Sequence, residues 1–127
     1  MSVYLDNAAS TMVRDEAIDA MTRVVREEYG NPSSAHKMGI RAAGELETAR
    51  RSVAEALGAK PEEIYFTSGG TEADCWAVFS SAEMLSRKGK HIITSSIEHD
   101  AVIKPVQKLE KSGWDVTYLS PDDHGRI

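Results

Sequence analysis

The chain has 127 residues, 41% of them hydrophobic, with 15 basic against 20 acidic side chains and a net charge of −5. That is the size of one modest domain with enough apolar content for a packed core. The charge balance and the lack of a basic run exclude a nucleic-acid binder. A lone cysteine, Cys75, allows no internal disulfide and points to a reducing, cytoplasmic setting. No basic-then-apolar leader opens the chain, and no stretch approaches the roughly 20 apolar residues of a membrane span.

In chain order, Ala17, Ile18, Met21, Val24 and Val25 fall at helical spacing and predict a first helix over Asp15 to Glu28. Tyr29-Gly30-Asn31-Pro32 stops it, because the residue before a proline is pushed out of helical dihedrals. A second helix follows, capped by Ser33 or Ser34, with Met38, Ala42, Leu46, Ala49, Val53 and Leu57 on one stripe until Gly58. The alanines on that stripe imply close packing against a neighbour. Ile64 to Thr67 reads as a short strand, Thr71 to Lys88 as a helix closed by Gly89, and His91 to Ser95 as a strand. A helix from Asp100 to Ser112 and a strand from Trp114 to Leu119 complete the pattern.

Alternation of strand and helix means an α/β fold: N-terminal helices, then strand-helix units of a mostly parallel sheet with right-handed crossovers. Ligands collect at the carboxyl ends of such strands. Pro121-Asp122-Asp123-His124-Gly125 reads as a turn leading onward, and three short strands leave edges that need more chain, from itself or a partner.

Chemistry concentrates in two places. Gly69-Gly70-Thr71 lies where a strand becomes a helix, so unpaired N–H groups and the positive end of the helix dipole face outward, a seat for one small phosphate. Thr71 could cap that helix, with Asp74 completing a capping box, or donate to a phosphate oxygen. The turn lacks the lysine of a nucleoside-triphosphate loop and the GxGxxG of a dinucleotide site, and taken alone Gly-Gly-Thr is better explained by a capped helix start. His99, after the 91 to 95 strand, falls on the same sheet edge, where an imidazole can stack on a heteroaromatic ring and move protons; taken alone, His99 with Asp100 reads first as a helix start. His91 and His124 read as solvent-facing, and the four histidines lack metal-ligand spacing, so no metal is expected. Cys75 near a helix start could be mildly reactive, but it reads first as buried filler.

Four blocks in order, YLDNAAS, YGNPSSAH at 29 to 36, FTSGGTEAD at 66 to 74 and SSIEHDAV, resemble the cysteine desulfurases of the class V aminotransferase group, along the whole chain. The resemblance implies an incomplete large domain of a pyridoxal-phosphate-dependent transferase: residues 1–30 as N-terminal arm and helix, 31–127 as the first part of the cofactor-binding α/β domain. It implies pyridoxal 5'-phosphate held by a lysine as a Schiff base, L-cysteine as substrate, transfer of its sulfur to an enzyme cysteine as a persulfide, and release of L-alanine. Carried over by matching motif, Gly70 and Thr71 bind the cofactor phosphate, His99 stacks on the pyridine ring as the catalytic residue, and Asn7 and Ala8 lie near the substrate. GNPSSAH is expected near the active-site entrance and the dimer contact.

Other parts of the family pattern have no match here. The Schiff-base lysine belongs to a Ser-x-His-Lys motif after a later strand; Ser34-Ala35-His36-Lys37 imitates it but belongs to the GNPSSAH block and precedes the phosphate loop. The aspartate for the pyridine nitrogen, the arginine for the substrate carboxylate and the sulfur-accepting cysteine also have no counterpart, and Cys75 stands where relatives often carry asparagine. The chain alone is therefore expected to be inactive, with a homodimer mate or a complementing C-terminal portion, and a sulfur-acceptor scaffold protein of iron-sulfur cluster assembly, as the partners the resemblance implies. Alternatives are another class V enzyme, such as a selenocysteine lyase or aminotransferase, or a non-catalytic phosphate-ligand module or structural subunit.

Overall fold

The structure, a computed structural model, describes residues 2–127 and divides into two compact units, one running to Tyr65 and the other Phe66–Ile127. In the first unit, α1 (Asp15–Glu27) carries Asp15 and Glu16 in its first turn and Arg26 in its last, each sign suited to its end of the helix dipole. It is tied to α2 (Lys37–Leu57) by charge: Arg23 grips Glu45 with two bonds of 3.0 and 2.7 Å, and Arg41 pairs with Glu28.

The start of α2 differs from the serine cap expected. His36 is the N-cap, its Nδ1 accepting from the Gly39 N–H at 3.4 Å, while Ser33 and Ser34 fold into the preceding turn, where their N–H groups donate to the Asn31 side chain and carbonyl. The reason is close backbone approach. A Cβ on Gly39 would stand 2.6 Å from the Asn31 carbonyl oxygen and nearer still to that of Ser34, so the loop rests directly on the first turn of α2. At the other end Gly58 adopts φ 65°, a left-handed cap. Of the alanine stripe, Ala42 and Ala54 are buried, whereas Leu46 and Val53 stay about 40% exposed; close packing holds only where the side chains are small.

The run Ile64 to Thr67, expected as a strand, is not one. Ile64 is extended (φ −99°, ψ 123°), but its N–H donates to the Pro61 carbonyl and its own carbonyl takes the Arg50 guanidinium, so its polar groups are committed to the turn at Pro61–Glu63 and to α2 instead of a ladder. The run also spans the junction of the two units.

In the second unit, α3 (Gly70–Leu85) packs on α4 (Asp100–Lys111), and β1 (His91–Ser95) pairs in parallel with β2 (Asp115–Leu119), with Ile93 opposite Thr117. The unit β1-α4-β2 is a parallel crossover, as the alternation predicted. Ala82 of α3 and Ala101, Pro105 and Val106 of α4 are its buried helix positions, and Lys108 lies 5.5 Å over the Phe79 ring. Asp122 closes the turn after β2 by accepting from the N–H groups of His124 and Arg126 at 2.9 Å, with Gly125 at φ 77°.

Candidate functional site

The mouth of α3 is built by three local choices. Gly69 is the N-cap and makes no side-chain bond; its carbonyl takes the Ala73 N–H at 3.2 Å, which leaves the amides of Gly70, Thr71 and Glu72 without a partner among the described residues. A Cβ on Gly69 or Gly70 would meet nothing within 4 Å, so neither glycine is demanded by packing within the chain and the approach to those amides is open. The capping box expected between Thr71 and Asp74 does not form. Glu72 instead reaches back to the loop before the helix, its carboxylate accepting from the Ser68 hydroxyl at 2.7 Å and the Ser68 N–H at 2.6 Å, bonds that hold its carboxyl below the usual carboxylate value. The Thr71 hydroxyl, exposed and without a partner among the described residues, stays available as a donor.

Past the carboxyl end of β1 the loop is pinned twice: the buried Ser95 donates its hydroxyl to Glu98 at 2.7 Å, and the Ser96 N–H donates to the Leu119 carbonyl at 2.9 Å. His99 then caps α4, its Nδ1 accepting from the Ala101 N–H at 3.1 Å. A ring nitrogen that accepts carries no proton, so the neutral imidazole is set as the tautomer with hydrogen on Nε2.

The two helix starts are joined through Cys75. Its Sγ lies 3.7 Å from the Ala101 carbonyl, and since Cys75 stands one turn beyond Thr71 and Ala101 two residues beyond His99, the mouths of α3 and α4 lie side by side. Sequence reasoning singled out both mouths but neither the carboxylates that brace each loop, Glu72 on Ser68 and Glu98 on Ser95, nor the Cys75 contact that links the two; these were legible only as ordinary polar or filler residues. Asn7 and Ala8 sit in an exposed turn of the first unit, where the Ala9 and Ser10 N–H groups donate to the Asp6 carbonyl. Lys37 opens α2. His91 shares a 2.8 Å bond with Thr117 across the strands, and among the described residues no cluster of His, Cys, Asp or Glu could hold a metal. None of their helices is long and apolar enough to cross a membrane.

A family model, aminotransferase class V, matches residues 3–127. The chain belongs to the class V aminotransferase family. Among the relatives of this class V chain are proteins named cysteine desulfurase IscS, from Methanosarcina thermophila (49% identical, over 99% of this chain and 31% of the relative) and Dictyoglomus turgidum (50%, over 98% and 32%). A solved NifS-like protein superposes with TM-score 0.89 at 44% identity, over 94% of this chain and 33% of that one. SspA solved in complex with cysteine does so with TM-score 0.87 at 39%, over 94% and 35%. The class V chain thus spans about a third of the length of the relatives it matches. The family is pyridoxal-phosphate-dependent, and the residues present fit that group: open amides and a hydroxyl donor for a phosphate, and beside them an imidazole of fixed tautomer.

Proposed function

We propose that this class V chain is the N-terminal part of a cysteine desulfurase and carries the phosphate-binding side of its cofactor site. The reaction is conversion of L-cysteine to L-alanine with the sulfur passed to an enzyme cysteine as a persulfide. One observation carries the reading: the open mouth at Gly70 and Thr71 is fastened beside the His99 cap by the Cys75 contact, in a chain about half identical to proteins named cysteine desulfurase.

When bound, pyridoxal 5'-phosphate supplies an electron sink for the carbanion of the substrate. This chain's own part is binding and orientation. Gly70 and Thr71 hold the phosphate with their amides and the Thr71 hydroxyl, backed by the dipole of α3. His99 covers the flat face of the ring and moves a proton at Nε2, the nitrogen its cap bond leaves free. Asn7 and Ala8 lie near the substrate. Residues 1–30 act as arm and first helix, and 31–127 as the first part of the cofactor domain. The Schiff-base lysine and the acceptor cysteine come from a complementing C-terminal portion, within a homodimer that hands sulfur to a cytoplasmic acceptor protein. The chain is inactive without that portion.

The test mixes the 127 residues with pyridoxal phosphate and L-cysteine, with and without the C-terminal two thirds of an IscS relative, and records bound-cofactor absorption and sulfide release. Both signals are expected only in the mixture. Sulfide from the 127 residues alone overturns the account of the missing groups, and a complemented, cofactor-loaded mixture that releases none overturns the desulfurase reading.

A further inference from the structure

The Cys75 thiol has a reason to be where it is that involves neither nucleophilic chemistry nor simple filling. In an α-helix the carbonyl of residue 101 accepts from the N–H of residue 105. Residue 105 is Pro105, inside α4, and proline has no N–H to give. The Ala101 carbonyl therefore loses its helical partner in a residue that is only 4% exposed, a place where an unmet acceptor is costly. The half-buried Cys75 on α3 meets that carbonyl at 3.7 Å. Ala101 in turn donates its N–H to His99 Nδ1 at 3.1 Å, the bond that sets the tautomer of the ring.

We infer that Cys75 is a positioning residue for His99: its S–H stands in for the amide that Pro105 lacks, clamps the carbonyl of Ala101 from across the helix pair, and so steadies the residue whose N–H, on the other side of the same Cα, holds the imidazole. The inference rests on the desulfurase reading only for what His99 then does to a bound cofactor; the setting of the ring is a property of the chain itself. It also accounts for why a free thiol at the mouth of the site is turned toward a carbonyl.

The experiment needs no ligand, so a failure of the cofactor reading leaves it readable. Cys75→Ala is made in the native chain and in Pro105→Ala, which returns an N–H to the Ala101 carbonyl. Two quantities are followed by NMR in the full chain: hydrogen exchange of the Ala101 amide and the ¹⁵N shift of His99 Nδ1. In the native background, Cys75→Ala is expected to speed exchange roughly two- to tenfold, the span of one net hydrogen bond, and to move Nδ1 toward a mixture of tautomers. In the Pro105→Ala background it is expected to change neither. Cys75→Val, which fills the space without a donor, should behave as Cys75→Ala does. An unchanged ring and amide in the native background overturn the inference, as does a change of equal size in both backgrounds or a Cys75→Val chain with native values.

Discussion

Thr71 and His99 are both exposed, yet they differ in how tightly the chain holds them. The Thr71 hydroxyl has no partner among the described residues, whereas the His99 ring is fixed by its cap bond to Ala101. Thr71→Val should then leave the protein folded and, in the complemented enzyme, weaken pyridoxal phosphate about tenfold or more. One hydrogen bond to a charged group, about 1.5–3 kcal/mol, is lost. Equilibrium titration of the cofactor checks it, and unchanged affinity removes Thr71 from the phosphate site. His99→Ala would confound two roles, because a lost cap alone costs about 1 kcal/mol. His99→Asn keeps an acceptor at the cap while removing the imidazole: thermal melting should stay near wild type while turnover of the complemented enzyme falls about a hundredfold or more. Normal turnover would count against the catalytic assignment. Glu72 provides a pH signature. Its folded carboxyl sits below the ordinary value of 4.5, first through the Ser68 hydroxyl and then through the Ser68 N–H. A depressed pKa means that the Glu72–Ser68 contact contributes in full above that ordinary value and is lost as pH falls through the lower, folded one. The Ser68 amide resonance should shift over that acidic window and stay constant in Glu72→Gln; a resonance that is flat in the wild type removes the contact.

Among the elements, the helices follow their periodic residues to within a turn because each sets its own face. The start of α2 shows where that local logic stops. Replacing a helical glycine by alanine ordinarily gains about 1 kcal/mol. At Gly39 the new methyl would collide with the Ser34 and Asn31 carbonyls, which are backbone and cannot swing aside. Gly39→Ala is therefore expected to destabilise the first unit by about 1–3 kcal/mol, opposite in sign to the propensity. Urea unfolding followed at α2 amides measures it, and a stabilised variant would show that the loop lifts away freely. The same limit explains Ile64 to Thr67: β-branched and aromatic residues favour a strand, but a strand exists only where another lies beside it.

For the whole molecule the largest fact is surface. The chain exposes 10401 Å², against about 8,000 Å² for two separate compact bodies of half its mass. Apolar side chains make up part of the excess: Ile93 on β1 is 62% exposed, and a hollow of about 460 Å³ opens between Ala77, Ala82, Ile92 and Val106 in the second unit. Exposed faces of that kind bind hydrophobic dyes and partners. The 127-residue chain should enhance the fluorescence of an apolar dye, and adding the C-terminal two thirds of an IscS relative should abolish most of that enhancement at equimolar ratio. A chain that binds no dye, or a signal that the second portion leaves unchanged, would mean that the faces are not covered by it.

Sequence alone determined the family, the α/β alternation and the two mouths at Gly70 and His99, because each rests on neighbours within a few residues or on ordered motifs. It did not determine His36 as the cap of α2, the return of Glu72 to Ser68 before α3, or the commitment of Ile64 to Arg50. Each of these is a competition among several adequate partners, and only the packed chain says which partner is near. The tertiary structure alone decided that the thiol of α3 meets the carbonyl left open by Pro105, since the 26 residues between Cys75 and Ala101 hide the contact from any local pattern.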